Sequence, residues 1–439
     1  MVSDEDNIEI EVTEIVNKVR EGYKITEVGE IPEEWEVSKL EGVTEKLTDG
    51  SHFSPEPTEF SDYKICTVAN MLNNTLDLVK SVCISEEDYC NLCKSGCKPE
   101  TNDVLLSKDG TVGKTLVYMY EDYKIVLLSS IAIIRPKKQI VDSFYLKHYI
   151  SYPKTLQQLI NMKTGSAIKR IVLRDIKGLK LPIPTLKEQQ KISLILSSVD
   201  EKIENADNII EKTKELKKGL MQKLLTKGIG YDRFKETEIG MIPEEWKVEN
   251  LGNVTEIVRG ASPRPKGDSR YYGGNIPRLM ISDVTRDGKY VTPKTDFLTE
   301  EGAKKSRPMN KGDLVISVSG TVALPTFLVV DSCIHDGFMG FKKINEKLNK
   351  DFLYYQILFL REKLIRSATD GGIYVNLTTD IVKAFSIIIP SLQEQKQIVS
   401  ILSSVDEKIE KYEIEKEKLQ DLKKGLMQKL LTGKIRVKV

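Results

Sequence analysis

Residues 183–204 have the sequence IPTLKEQQKISLILSSVDEKIE, and residues 389–410 repeat it as IPSLQEQKQIVSILSSVDEKIE. In both copies apolar residues recur at alternating intervals of four and three positions. This spacing predicts one apolar side of a long helix that packs against another helix. Each helix is expected to run for about 40 residues, or about 60 Å at 1.5 Å per residue. Two such helices in one chain are expected to pair with each other as an antiparallel coiled coil.

The residues expected at the interface of the two helices share an apolar side chain and this spacing. They are Ile192, Leu196, Val199, Ile203, Leu220, Leu224, Ile398, Leu402, Val405, Ile409, Leu426 and Leu430. Lysines interrupt the pattern at Lys217, Lys416 and Lys423. Gly219 and Gly425 lie inside the helical pattern, where a glycine costs about 1 kcal/mol relative to alanine. They indicate either a close backbone approach, at a helix crossing or at a partner contact, or fraying near the helix end.

The start of each helix carries the pattern of a capping box, Thr185-x-x-Glu188 and Ser391-x-x-Glu394. In this motif the hydroxyl accepts a hydrogen bond from the backbone N–H of the glutamate, and the carboxylate accepts one from the backbone N–H of the hydroxyl residue. A proline precedes each pattern. The sequence therefore predicts helix starts at these two positions.

Further segments indicate that the chain is a duplication. KITEVGEIPEEWEVSKLEGVTE at 24–45 returns as KETEIGMIPEEWKVENLGNVTE at 235–256, and KKGLMQKLLT at 217–226 returns unchanged at 423–432. Between these segments the two copies diverge strongly. A shared partner surface that is met twice, next to two different targets, would produce this contrast.

A weaker match survives within each divergent region. DVLLSKDGTVG at 103–113 corresponds to DLVISVSGTVA at 313–323, whereas LTDGSHFSP at 47–55 and IVRGASPRP at 257–265 share little beyond a turn-forming Gly and Pro. Strand-like apolar runs dominate these regions, and helical patterns follow them. Each divergent region is therefore predicted to be a mixed α/β domain.

The predicted fold class is mixed α/β, with two pseudo-symmetric globular domains separated by two long antiparallel coiled-coil helices. The pattern of Ile8, Val12, Ile15, Val16 and Val19 predicts a further short helix near the N-terminus. The predicted domains are an N-terminal helical extension at 1–23, a first globular domain at 24–182, a central helical region at 183–228, a second globular domain at 229–388 and a distal helical region at 389–439.

The composition excludes several classes of protein. Hydrophobic residues make up 40% and charged residues 30%, which is too apolar for a disordered chain. Lys and Arg number 66 against 65 Asp and Glu, which excludes a histone-like polycation. No run of 18 apolar residues exists, and the first residues are acidic where a signal peptide is basic. We therefore expect a cytoplasmic protein without a membrane span.

The motifs that could carry catalysis are incomplete. KDGTVGKT at 108–115 has a lysine where a phosphate-binding loop needs its first glycine. Cys83, Cys90, Cys93 and Cys97 could supply four thiolates to a metal, but the spacing of the last three is that of one buried helix face. No methyl-transfer cofactor loop and no catalytic histidine arrangement appear. A non-catalytic binding protein is expected, with no metal or cofactor of its own.

Basic residues concentrate in divergent loops that are rich in Gly, Ser and Pro, such as KTGSAIKR at 163–170 and RGASPRPKGDSRYY at 259–272. Such loops can place cationic groups on phosphates and guanine edges, although solvated basic loops are the alternative. Two of them on pseudo-symmetric domains favour duplex DNA, because half-sites repeat about every 34 Å. The candidate DNA-binding residues are His52, Lys108, Thr111, Lys114, Arg135, Lys169, Arg170, Arg174, Arg259, Arg264, Lys266, Arg270, Ser317, Ser319 and Thr321.

The IPEEW segments, the S-x-x-G-T turns and the P-x-L-x-E-Q helix starts together resemble the specificity subunits of type I restriction–modification systems. The resemblance extends from about Lys24 to Thr432 and occurs twice. It implies two target recognition domains that each read one half of a bipartite double-stranded DNA site, and helices that set the spacer and dock two modification (methyltransferase) subunits. It also implies restriction subunits as partners, with S-adenosylmethionine, ATP and magnesium on the partner subunits and no catalysis by this chain.

A coiled-coil scaffold that joins two protein partners without reading DNA is the alternative function. It would account for the long helices. It would not account for two divergent sets of loops rich in Arg, Lys and Tyr.

Overall fold

The computed structural model describes residues 19–161, 170–367 and 377–438. Packing divides the chain into two units. Unit 1 contains the chain up to Ala206 together with the residues from Ile414 onward, and unit 2 contains Asp207–Glu413. Each unit therefore combines one globular part with one part of each long helix. Apart from Val19, the short N-terminal helix that we predicted lies outside the described residues.

Unit 1 contains short strands and helices, the first half of one long helix and, from Ile414 onward, the last part of a second long helix. Its strands are β1 Tyr23–Thr26, β2 Gly29–Pro32, β3 Glu36–Lys39, β4 Thr44–Asp49, β5 Tyr63–Cys66, β6 Val82–Cys83, β7 Val104–Ser107, β8 Thr115–Val117, β9 Lys124–Leu127, β10 Ile131–Pro136 and β11 Lys180–Ile183. Its helices are α1 Glu86–Lys94, α2 Ser143–Ser151, α3 Pro153–Asn161, α4 Leu173–Gly178 and the first part of α5 Leu186–Leu224, with 3₁₀ turns at Leu40–Val43 and Val68–Asn70.

Unit 2 repeats this order with some additions. Its strands are β12 Phe234–Thr237, β13 Gly240–Pro243, β14 Lys247–Asn250, β15 Glu256–Arg259, β16 Tyr272–Leu279, β17 Tyr290–Val291, β18 Asp296–Leu298, β19 Arg307–Met309, β20 Leu314–Ser317, β21 Pro325–Leu328, β22 Ser332–Ile334, β23 Phe338–Lys342 and β24 Ser386–Ile389. Its helices are α6 Leu251–Val254, α7 Ile281–Asp287, α8 Glu300–Lys304, α9 Lys350–Phe359, α10 Arg361–Ser367, α11 Thr379–Ala384 and the first part of α12 Leu392–Leu430.

The main sheets of the two units share one topology. In unit 1 the strand order is β4-β10-β7-β8, and in unit 2 it is β15-β23-β20-β21 with β17 added at the edge. The central strands carry continuous buried apolar runs, as in Ile131–Ile134 of β10. This agrees with the predicted mixed α/β class, because a strand that is covered on both faces loses the alternation of polar and apolar residues.

The long helices pair in an antiparallel sense. In unit 1 Ile192 and Leu196, early in α5, share a core with Met427 and Leu430, late in α12. In unit 2 Ile398 and Leu402, early in α12, share a core with Met221 and Leu224, late in α5. The two helices therefore pack together as predicted. Of the residues that we predicted at their interface, Ile203, Leu220 and Leu426 are half-buried and the other nine are buried.

Gly219 and Gly425 do not mark a close approach within the described part of the chain. A Cβ atom built at either position would meet no other atom within 4 Å. Of the two explanations we considered, a close approach to another part of the chain is therefore wrong. Both glycines lie in the last turns of their helices, which end at Leu224 and Leu430.

The capping boxes are only half correct. The hydroxyls of Thr185 and Ser391 do accept hydrogen bonds from the backbone N–H of Glu188 (3.4 Å) and Glu394 (3.2 Å). The carboxylates, however, accept hydrogen bonds from indole N–H groups and not from the backbone N–H groups of Thr185 and Ser391. Trp35 Nε1 lies 3.1 Å from Glu188 and Trp246 Nε1 lies 3.0 Å from Glu394. These contacts link the IPEEW segment of each copy to its E-Q segment.

The glutamine of each E-Q pair is also buried and binds the start of an earlier helix of the same unit. Gln189 accepts from the backbone N–H of Asp142, the N-cap of α2, at 2.9 Å, and Gln395 accepts from Asn349, the N-cap of α9, at 2.7 Å. Each amide nitrogen donates to backbone carbonyls in return. The repeated segments therefore form one buried polar network per unit, because buried amides and carboxylates require partners.

Several of the long strand-like and helical runs in the divergent regions each contain two elements. The strand-like run at 125–136 contains β9 and β10, and the run at 327–334 contains the end of β21 and all of β22. The helical run at 144–162 breaks between Tyr152 and Pro153, because proline disfavours helical geometry at the residue before it. The helical run at 351–368 is likewise divided between α9 and α10.

Candidate nucleic-acid interface

Two loops at one end of the main sheet form the candidate interface of each unit. In unit 1, β4 and β7 end at Asp49 and Ser107, on either side of the first residues of β10. In unit 2, β15 and β20 end at Arg259 and Ser317, on either side of the first residues of β23. The loops that follow these strands are therefore neighbours in both units.

The S-x-x-G-T motif forms the same turn in both units. The hydroxyl of Ser107 donates to the carbonyl of the residue four positions later (2.6 Å) and accepts from the N–H seven positions later (2.8 Å). The hydroxyl of Ser317 makes the two equivalent hydrogen bonds, the second at 3.0 Å. Both serines are fully buried. The serine in this motif therefore closes the turn from inside.

The glycine shared by the other loop is required by a close backbone approach. A Cβ atom at Gly50 would lie 2.1 Å from the carbonyl oxygen of Leu127, and one at Gly260 would lie 2.0 Å from that of His335. Any other residue would have to displace the adjacent backbone. This explains why a glycine survives in a loop where little else is shared between the copies.

A third segment joins each pair of loops. The backbone N–H of Ile171 donates to the carbonyl of Lys108 (2.9 Å), and that of Leu377 donates to the carbonyl of Val318 (3.3 Å). The turn and the segment before α4 or α11 are therefore joined by the same backbone contact in both units. The backbone frame of the candidate interface is common to the two units.

The side chains on this frame differ between the units. In unit 1, Lys108 Nζ lies 2.6 Å from Asp49, His52 Nε2 lies 3.5 Å from the same carboxylate, and Arg170 lies 3.1 Å from Asp109. Charged groups of both signs therefore line this side. His52 and Arg170 stay exposed, at 70% and 52% of their side-chain surface.

In unit 2 the corresponding loop carries a different set of groups. Arg259 Nε donates to the carbonyl of Asp336 (3.2 Å), and the Ser262 hydroxyl donates to the Asp336 carboxylate, which lowers the pKa of that carboxyl. Burial lowers the pKa of the neighbouring His335, so this imidazole is neutral at pH 7. Arg264 is exposed. The candidate interface of unit 2 therefore presents different hydrogen-bond donors from that of unit 1.

Several further DNA-binding candidates also have partners within the protein. Lys108 is 2% exposed and paired with Asp49, and Ser317 is fully buried, so these two side chains are held in the interior and their contact with DNA stays a prediction. Arg135 forms a bidentate ion pair with a buried aspartate. Lys114 donates to a backbone carbonyl at 2.6 Å, and Arg270 pairs with an aspartate whose pKa it lowers to about 2.

For the other candidates, contact with DNA also stays a prediction. The exposed ones are His52, Thr111, Arg170, Arg174, Arg264, Lys266 and Ser319, while Arg259 and Thr321 are half-buried. Lys169 lies outside the described residues. The predicted DNA-binding residues are basic or hydroxyl residues and do not include Phe53 and Phe60, which are 61% and 93% exposed in the loop after Gly50. Exposed aromatic rings are suited to stacking on bases.

The cysteines of unit 1 do not share one buried face. Helix α1 ends at Lys94, so Cys97 lies beyond it; Cys90 is exposed, Cys93 half-buried and Cys97 buried. The predicted helical face is wrong because the helix stops too early. Within the residues that the structure describes, His, Cys, Asp and Glu form no group of three or more that could hold a metal ion.

None of the helices in the described ranges is long and apolar enough to cross a membrane.

Comparison with known proteins identifies the family. The sequence model of the type I restriction modification DNA specificity domain matches residues 32–215 and again residues 243–424. The putative type I restriction enzyme MjaX specificity subunit of Methanocaldococcus jannaschii is 30% identical over 95% of this chain and 97% of its own length. The MjaVIII specificity subunit of the same organism is 30% identical over 77% of this chain and 80% of its own length.

Solved structures show the same fold. The S subunit of a type I restriction–modification system from M. genitalium aligns with a TM-score of 0.59 at 16% identity, covering 93% of this chain and 98% of that one. A chain from a study of complex assembly in a type I R-M system aligns with a TM-score of 0.54 at 17% identity, covering 92% and 99%. The duplicated sequence, the repeated backbone frame and these similarities agree: the chain belongs to the type I restriction–modification DNA specificity family and carries the family's domain twice.

Proposed function

We propose that this chain is the DNA-reading subunit of a type I restriction–modification complex, and that each unit reads one half of a bipartite duplex site. The observation that carries the proposal is one backbone frame with two different sets of exposed side chains. A frame held by buried serines and obligatory glycines tolerates changes at its exposed positions, and these are the positions that would meet base edges. A scaffold without DNA reading gives no reason for this pattern.

The long helices are proposed to set the spacer between the half-sites. Each helix runs continuously from one unit into the other, since α5 and α12 cross the boundaries at 206/207 and 413/414. Two ion pairs of the same kind hold the helices in register. Asp200 pairs with Lys423 in unit 1, and Asp406 pairs with Lys217 in unit 2, both at 2.5 Å.

Deletion of 203–209 together with 409–415 is expected to shorten the DNA spacer and leave the half-sites unchanged. Each deletion removes one heptad between the aspartate and the lysine of its helix, so both ion pairs and the apolar register persist. The helices shorten by about 10 Å, which equals about 3 base pairs of B-DNA. Enrichment of bound duplexes from a random library, with the methyltransferase partner present, measures the spacer.

Two results would contradict the proposal that the helices set the spacer. The first is a folded, partner-binding deletion variant that selects the original spacing. The second is a domain-exchange control, with residues 24–182 replaced by those of another family member, that alters both half-sites instead of one.

We further propose that two modification subunits dock on surfaces that are identical in both copies. The repeated KKGLMQKLLT segments expose the same side chains twice: Lys218, Gln222 and Lys223 in α5, and Lys424, Gln428 and Lys429 in α12. Apolar burial explains the identity of the leucines but not that of these exposed residues. A partner that is met twice explains it.

Reversal of the charge at Lys218 and Lys223 is expected to reduce the bound methyltransferase subunits from two to one, because one of two equivalent surfaces is lost. Native mass spectrometry of the co-purified complex measures this stoichiometry. The matched control reverses Lys187 and Lys191, which are also exposed on α5 but correspond to glutamines in the second copy. Docking at this surface would be refuted if the test and control variants lost equal numbers of methyltransferase subunits. It would also be refuted if the test variant retained two subunits.

Methyl transfer and DNA cleavage are proposed to reside in partner subunits, which would bind S-adenosylmethionine, ATP and magnesium. Restriction subunits complete the proposed complex. It would act in the cytoplasm, where the genomic DNA lies. The support for this division of labour is the family membership of the chain and the absence of a catalytic motif from its sequence.

A further inference from the structure

A buried polar cluster joins the globular part of unit 1 to the helical pair. Asp200 of α5 is 8% exposed, and each of its carboxylate oxygens has a cationic partner. Lys423 of α12 lies 2.5 Å from Oδ1, and Lys147 of α2 lies 2.7 Å from Oδ2. The Lys147 ammonium also donates to Asn74 at 2.8 Å. We call these four residues the Asp200 cluster.

Unit 2 contains a cluster of the same plan with different chemistry. Asp406 of α12 accepts Lys217 of α5 on Oδ1 at 2.5 Å and the hydroxyl of Tyr355 in α9 on Oδ2 at 2.6 Å. The same hydroxyl accepts a hydrogen bond from Lys289 at 3.1 Å. We call these four residues the Asp406 cluster. In both clusters one oxygen binds the other long helix and the second oxygen binds the globular part.

The partner of Oδ1 is the same in the two copies of the sequence, whereas the partner of Oδ2 is not. The aspartate and its helix lysine lie in segments that are identical in the two copies. The donors from the globular parts are not equivalent: Lys147 is the fifth residue after the N-cap of α2, whereas Tyr355 is the sixth after the N-cap of α9. An ion pair that only held the helices together would need no donor on Oδ2. Both globular parts nevertheless supply one from a buried position.

We infer that Asp200 and Asp406 position the recognition parts on the helical pair, and that each recognition part must supply a hydrogen-bond donor to the second carboxylate oxygen. The inference rests on the proposed function, because the orientation that these residues hold is the orientation in which a half-site is read. Asp200, Asp406, Lys147 and Tyr355 are positioning residues.

The charge on Lys147 allows a graded test. Lys147→Arg keeps a cationic donor, Lys147→Met removes it, and Lys147→Glu places a second carboxylate next to Asp200, where two buried like charges repel. Each variant is assembled with the methyltransferase partner and used to select duplexes from a library with variable spacers. We expect the arginine variant to select the wild-type site, the methionine variant to bind it at least tenfold more weakly, and the glutamate variant to lose the preference for a single spacer.

The control is Lys154→Glu, which makes the same charge change at an exposed position of the neighbouring helix α3. Loss of selection for both half-sites together, or a melting temperature that accounts for the loss, would assign Lys147 a purely structural role and overturn the inference. An unchanged spacer preference in the glutamate variant would also overturn it. If the wild-type complex enriches no sequence, the proposed function itself fails, which is a distinguishable result.

Discussion

Replacing Asp103 by alanine is expected to destabilise unit 1 by about 3–5 kcal/mol, because it leaves the guanidinium of Arg135 inside the protein without its main partner. Asp103 is fully buried and accepts hydrogen bonds from Arg135 Nε (2.8 Å) and Nη2 (2.9 Å) and from the backbone N–H of Glu100 (2.7 Å). The side chain of Arg135 is only 17% exposed. Urea unfolding, followed by hydrogen exchange of the β7 and β10 amides, measures the loss.

Glu100→Ala is the matched control, because Glu100 pairs with the same guanidinium at 2.7 Å but is 62% exposed. Removal of an exposed partner is expected to cost no more than about 1 kcal/mol. If both variants lose equal stability, the burial of Asp103 is not the cause. If Asp103→Ala changes the selected DNA bases without destabilising unit 1, Arg135 reads DNA after all, as the sequence suggested.

Acidification from pH 7 to pH 5 is expected to destabilise unit 1 by about 2 kcal/mol through His148 alone. His148 is fully buried, and burial together with the nearby ammonium of Lys147 lowers its pKa to about 3 in spite of the Asp200 carboxylate. In the unfolded chain the imidazole titrates near pH 6.5. Between these values the unfolded chain binds a proton that the folded chain does not, so stability falls as the pH decreases.

The groups that face His148 do not obscure this effect above pH 5. Burial raises the pKa of Asp200, but the ammonium groups of Lys147 and Lys423 lower it further, so this carboxyl titrates below its ordinary range. Its contribution is therefore present above the unfolded value near 4 and is lost only at lower pH. The difference between pH 7 and pH 5 thus reports on the imidazole.

The measurement is the protection factor of the α2 amides at pH 7 and pH 5, in the wild-type chain and in His148→Gln. The amide of glutamine can replace the imidazole in the hydrogen bond with Ser197, which is 3.0 Å long. We expect the variant to lose most of the decrease between the two pH values. His52→Gln serves as the control and is expected to keep the decrease, because His52 is 70% exposed. A decrease that persists in His148→Gln would show that another group titrates.

Local patterns in the sequence predicted much of this fold. The apolar sides of the long helices follow from spacings of three and four residues, since a helix places such neighbours on one side, and the helix starts follow from their capping residues. The duplication identified which segments correspond. The turns at Gly110 and Gly320 could be predicted for the same reason, because a turn depends on the few residues that form it.

The partners of polar groups could not be predicted in this way. Glu188 and Glu394 stand three residues after a hydroxyl, as a capping box requires, yet their carboxylates bind Trp35 and Trp246, which are 153 and 148 residues away in the chain. Lys108 stands in a basic, glycine-rich turn, yet it binds an aspartate 59 residues away. A local pattern contains no information on such distant partners.

The sequence by itself therefore determined the elements of this protein, its duplication and its family, because these depend on residues that are neighbours in the chain or are repeated within it. Only the tertiary structure decided which cations are available to a ligand and which are held in the interior, and which half of each helix belongs to which unit. The physical reason is that the energy of a buried charge depends on the groups brought next to it by folding. The buried carboxylate of Asp200 is an example, because its charge is stabilised only when folding brings Lys147 of α2 and Lys423 of α12 next to it.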